Sequence, residues 1–232
     1  MRIWDINPGY LNRQSLLGEH RELHAIHSII ENDRKGYSRH PETLRWYGYG
    51  WALGMRHRLL AAEMALRNYR DRTPVISSGN DGVWPEVYID SPNRQFEILK
   101  SKYSQKEGGR ITLPETRQQL WSHHKYSVLA RDEGFYRGLG PQLAAGSGPS
   151  FEELAGILTV LLRQPPSAGG IRNAIQHMWG HLSGSSPGLP GNTDSWQPAE
   201  LLTHVQDRAM ETAESYLVSS TALGELMAWI AP

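Results

Sequence analysis

Glu22 is the one carboxylate on a stripe of small side chains. Counted in helical steps from Asn12, Ser15, Gly18, Glu22, Ala25 and Ile29 share a face, because spacings of three and four residues align side chains. A glycine inside a helix costs about 1 kcal/mol relative to alanine. Gly18 therefore implies a close neighbour: another helix, a ligand, or the chain's own opening segment. Close helix packing with Glu22 solvated or paired to an arginine is the structural alternative. The same stretch carries His20, His24 and His27 at i, i+4 and i+7, a spacing able to ligate a metal, although a polar or interface face has the same pattern. His177 and His181 repeat the i, i+4 step later in the chain. In the run from Arg45 to Trp51, RWYGYGW, aromatics alternate with glycine beside an arginine. Such a run can stack on nucleic-acid bases or form a buried aromatic helix entry.

The elements that must position these residues read as helices. Asn7-Pro8-Gly9 makes a turn and Asn12 caps a helix running to about residue 30. Leu16, Leu23, Ile26 and Ile30 supply its apolar positions. Residues 52–70 predict a second helix, with Leu53, Leu59, Leu60, Met64 and Leu66 inward and Arg56, Arg58, Arg67 and Arg70 as a basic surface. Proline, serine and glycine break the pattern over 72–91, and a short helix follows over 94–103. Beyond Gly108-Gly109, helices are expected at 114–132, 133–144, 150–163, 168–183, 197–218 and 220–230, with a flexible Gly/Ser/Pro run at 184–192. The fold class is mainly α. The expected division is a compact helical domain over 1–112 and a helical accessory domain over 113–232.

The composition of 232 residues fits a globular chain with one large or two small domains. Mean hydropathy is −0.52. No apolar run approaches the roughly 20 residues needed to cross a bilayer, and the start has no signal-peptide pattern. No membrane partner is expected, and a cytoplasmic location is. Without cysteine there is no disulfide, thiolate metal site or cysteine nucleophile. Net charge is zero, but residues 1–75 hold 12 Lys+Arg against 8 Asp+Glu. That local surplus can hold phosphates in a salt-dependent way.

The opening stretch resembles the pyrimidine-dimer DNA glycosylase family of the phage endonuclease V type. Arg2 with Ile3, Gln14 with Leu16, and Glu19, Arg21, Glu22 and Leu23 fall at the family's spacing without a gap. Lys35-Gly36-Tyr37 and His40-Pro41 resemble a segment of its bacterial members. The resemblance implies that the α-amine of Met1 is the nucleophile and Glu22 the central catalytic carboxylate. It also implies that Arg2, Gln14 and Arg21 serve DNA or the carboxylate. Arg45, Trp46 and Arg56 are further candidate DNA contacts, from the aromatic run and the basic helix. Ser15 and Ala25 depart from the phage pattern, where a histidine and an arginine stand, and this bears on substrate choice. The second half resembles the YbgA-type domain through His124-Lys125, the run from Phe135 to Leu139, Asn173, Gln176-His177 and Gly180. That implies an accessory role near nucleic-acid or nucleobase chemistry.

The implied chemistry suits a chain terminus. An α-amine has a pKa of about 7.7–8.0, so a useful fraction is neutral at physiological pH. It can attack a deoxyribose anomeric carbon, expel the base and persist as an imine that drives β-elimination. A nearby carboxylate can stabilise the cationic sugar and move protons. The bulky Arg2 is expected to keep Met1 in place. The expected substrate is double-stranded DNA containing damaged pyrimidines, and no cofactor or metal is needed. The rivals are a binding-only protein, a metal-dependent helical enzyme, and a nucleobase-processing enzyme housed in the second half.

Overall fold

The computed structural model describes residues 1–185, 193 and 195–230. Every regular element among them is helical, so the mainly-α expectation holds. The chain divides into two compact units, Met1–Gly109 and Arg110–Pro232.

The first unit begins with a 3-10 turn, Pro8–Tyr10, closed by the Asn7 side chain accepting from the Gly9 N–H. Helix α1 (Arg13–Glu31) starts where the Asn12 side chain accepts from the Ser15 N–H, as its cap position predicts. Leu16, Leu23 and Ile26 are fully buried on its inner face. Helix α2 (Pro41–Trp46) is short and was not expected from the sequence; proline in its first turn and the His40 side chain start it. Helix α3 (Gly50–Leu66) packs on α1 and on the turn. It ends earlier than residue 70 because Asn68 adopts φ +62°, which asparagine tolerates, and the Tyr69 N–H closes onto the Met64 carbonyl. Helix α4 (Pro92–Lys102) follows. Gly109 is needed at its position: a Cβ there would lie 2.5 Å from the Gly9 carbonyl oxygen.

The second unit is built around α5 (Arg117–Leu129), whose buried residues surround the helix. Helices α6 (Glu133–Ala144), α7 (Phe151–Leu162), α8 (Ala168–Ser185) and α11 (Ala222–Ile230) all pack against it. The expected 197–218 helix is two, α9 (Pro198–Glu211) and α10 (Ser215–Val218), because Ala213 takes φ +50° between them. Of the loop expected at 184–192, residues 186–192 lie outside the described residues. No described helix is long and apolar enough to cross a membrane.

Two histidines of α5 are packed as neutral rings. Burial pushes His124 down to about 3, and its Nδ1 sits 2.7 Å from the Leu120 carbonyl oxygen. Burial, with Arg110 nearby, pushes His123 down to about 4. An unfolded histidine titrates near 6.5, so below that pH the unfolded chain binds protons that the folded one refuses. Stability of this unit should be flat above pH 6.5. It should fall as pH drops toward 4, by at most roughly 1.4 kcal/mol per histidine per pH unit. Urea unfolding at pH 7.5, 6 and 5 reads this directly. The slope should be smaller in His124→Gln, and an unchanged midpoint in the native chain would contradict neutral burial.

Candidate active site

The opening segment is tied to α1 by two rungs. The Trp4 N–H donates to Glu19 Oε1 at 3.1 Å, and the Arg2 N–H donates to Glu22 Oε2 at 2.5 Å. Alternate residues of an extended backbone present their N–H groups to the same side. Glu19 and Glu22 stand about one turn apart on α1 and meet them in reverse order. The apolar side chains Ile3 and Ile6 are buried beneath this ladder. Three covalent bonds separate the Met1 nitrogen from the Arg2 nitrogen, which keeps the α-amine within about 6 Å of Glu22 Oε2.

The two carboxylates differ in surroundings. Glu19 has no exposed side-chain surface, and Arg56 grips it from Nε at 2.7 Å and from a terminal nitrogen at 2.9 Å. Burial pushes the Glu19 carboxyl upward, and the Arg56 guanidinium opposes that. Arg56 also donates to the Ile6 carbonyl at 2.9 Å. Glu22 is half-buried, and among the described residues no guanidinium clamps it. One carboxylate is spent on the fold, and the other stays partly accessible to solvent.

Apart from Ser15, the stripe read from the sequence is at least partly accessible. Gly18 and Glu22 are half-buried, and Gln14, Arg21 and Ala25 are exposed. A Cβ on Gly18 would meet nothing within 4 Å among the described residues, so no packed helix explains that glycine. Ser15 is the exception on this face, being 4% exposed. Space for a bound molecule beside Glu22 is what the arrangement offers.

Arg2 reaches back to Asp90 Oδ2 at 2.5 Å, with its guanidinium 4.7 Å over the Trp4 ring. Gln95 of α4 fixes the same corner: its amide donates to Asp5 Oδ2 and to the Asp90 carbonyl, both at 2.8 Å, and its oxygen accepts from the Asp5 N–H at 2.8 Å. Sequence reasoning missed Asp5, Asp90 and Gln95, because only the fold brings residues 85 to 90 positions apart together.

Three expected DNA contacts are corrected. Arg45 is buried in an ion-pair cluster with Asp5 and with Glu42 at 2.9 Å. Trp46 is 1% exposed and donates from Nε1 to Glu42 Oε1 at 2.9 Å. Arg56 is spent on Glu19 as described. Each serves the interior of the unit, since a charge or indole N–H taken from water needs a partner there. Of the aromatic run, Tyr47 is exposed, at 64%, and the buried-entry alternative holds for Trp46. Arg67 likewise leaves the expected basic surface, bound to Glu63 and to the Leu11 carbonyl.

No curated protein and no solved structure matches the chain. One family model does, over residues 1–77, the stretch that carries the opening segment, α1, α2 and α3. Over that stretch the chain is similar to the family described as pyrimidine dimer DNA glycosylase.

Proposed function

We propose that the first unit is a DNA glycosylase with abasic-site lyase activity, acting on damaged pyrimidines in double-stranded DNA, pyrimidine dimers foremost. The single observation that carries this reading is the Glu22 carboxylate held on the Arg2 N–H, one residue from Met1, on a partly accessible face. The family match over residues 1–77 supports the same substrate class.

In the proposed reaction the neutral Met1 nitrogen attacks C1′ of the damaged nucleotide. The C1′–N bond breaks, and its electron pair leaves with the base, which takes up a proton. The sugar ring opens by protonation of its ring oxygen, giving an imine between Met1 and C1′. Loss of a C2′ proton then expels the 3′ phosphate, and water releases the protein. Glu22 stabilises the cationic sugar and relays these protons. A base within a duplex must be flipped or distorted for such an attack. Gln14 and Arg21 are exposed on the same helix, and Arg34, Lys35, Arg39 and the 72%-exposed Tyr37 extend the polar surface beyond its end. These replace the buried arginines as candidate phosphate and base contacts. We read the second unit as a helical accessory domain of the YbgA type.

Borohydride trapping tests the reading. Native chain should form a covalent adduct with abasic and dimer-containing duplexes, and adding residues before Met1 should abolish it. Trapping that survives the extension would place the nucleophile on a side chain and refute the α-amine.

A further inference from the structure

Three histidines and one aspartate of the first unit converge away from Glu22. His20 and His24 come from α1, His57 from α3, and Asp71 from the segment after α3. One ligating atom from each lies within 4.8 Å of all the others. The sequence pattern pointed to His27 as the third member. Instead it turns to Glu31, at 3.9 Å, and His57 takes its place.

Three of the separations approach those of a coordination shell. His20 Nε2 lies 3.4 Å from His24 Nε2 and 3.3 Å from Asp71 Oδ1, and His57 Nε2 lies 3.6 Å from Asp71 Oδ2. Bonds of about 2.0–2.1 Å to a tetrahedral ion require ligand–ligand edges of about 3.4 Å. Hydrogen bonding alone leaves the group incomplete. His57 is 2% exposed, and its Nε2 has no hydrogen-bond partner among the described residues. The facing Nε2 atoms of His20 and His24 can share only one proton between them. The imidazole nitrogens of His20, His24 and His57 thus face the Asp71 carboxylate about a common centre, with His57 Nε2 left unsatisfied by hydrogen bonding among the described residues.

We propose that His20, His24, His57 and Asp71 bind one divalent transition-metal ion of the zinc class. Three imidazoles and one carboxylate without thiolate suit that class, and four protein ligands close the shell. The ion is therefore structural. Residues two apart on a helix project about 160° from each other, so His20 points away from the face that carries Glu22. What the ion does is cross-link α1, α3 and the chain entering residues 67–91. Thr73 completes the surroundings, with its Oγ1 3.2 Å from His24 Nε2 and its N–H donating to Asp71 Oδ1 at 3.1 Å.

The test uses the full chain without a histidine tag, stripped by chelator and titrated with zinc. One ion per chain should bind, and zinc should raise the melting temperature. Cobalt(II) in its place should give the intense visible absorption of a tetrahedral site. His24→Ala, at a half-exposed ring, and Asp71→Asn should each weaken zinc at least tenfold, with helical circular dichroism retained. His27→Ala and His181→Ala should bind as the native chain does. Absence of stoichiometric zinc, or equal affinity in the His24→Ala and Asp71→Asn chains, would overturn the assignment.

Discussion

Glu22→Gln is expected to lower single-turnover adduct formation on abasic DNA by about 100- to 10,000-fold, the range of a lost general acid–base group. The argument rests on what glutamine keeps. Its amide oxygen can still accept from the Arg2 N–H, so the opening segment stays docked and only the charge and the exchangeable proton are lost. Duplex binding should change little, which separates this variant from one that loses the substrate surface. Glu22→Ala should be worse, because it also frees the terminus. The measurement is borohydride-trapped adduct against time under saturating protein. A Gln variant within threefold of native would sink the role given to this carboxylate, even if the terminal amine proved essential.

The second large effect is on folding. Arg56→Met should destabilise the first unit by roughly 3–5 kcal/mol, because it strands the fully buried Glu19 carboxylate without its cation. That is a large share of the roughly 5–15 kcal/mol by which a domain is stable. The paired change Glu19→Leu with Arg56→Met should recover most of the loss, since replacing both partners removes the desolvated charge. The double variant nevertheless loses the acceptor for the Trp4 N–H. It should fold and still trap DNA poorly, which uncouples stability from positioning. Chemical denaturation of the three variants with matched trapping assays checks both halves. A single Arg56→Met change costing less than about 1 kcal/mol would show the pair to be dispensable.

Why some of this was readable from the sequence and some was not comes down to range. The cap at Asn12, the α1 stripe and the apolar positions of α3 are local, set by helical spacing and by one side chain meeting a backbone two or three residues away. Glu22 and Met1 were nominated by family spacing, and the Arg2 N–H contact is what the fold adds to them. The arginines were misread for a physical reason. Arg45, Arg56 and Arg67 read as surface cations, yet each meets a buried carboxylate: Arg56 meets Glu19, 37 positions away and beyond the reach of spacing, while Arg45 and Arg67 meet Glu42 and Glu63, three and four positions back, whose burial spacing alone does not reveal. The histidine cluster fails in the same way: α1 alone suggests three members, and only its packing on α3 substitutes His57 for His27.

The two rungs at Trp4 and Arg2 act as a length gauge. Whatever is fused upstream, they anchor the same two backbone groups, so extra residues add to a free overhang without shifting the frame of attachment. Each would carry the leading nitrogen up to about 3.3 Å farther out. On the proposed mechanism, an affinity handle or cloning scar at that end would then yield a well-folded preparation that is chemically silent. Production formats for this chain belong at the carboxyl end.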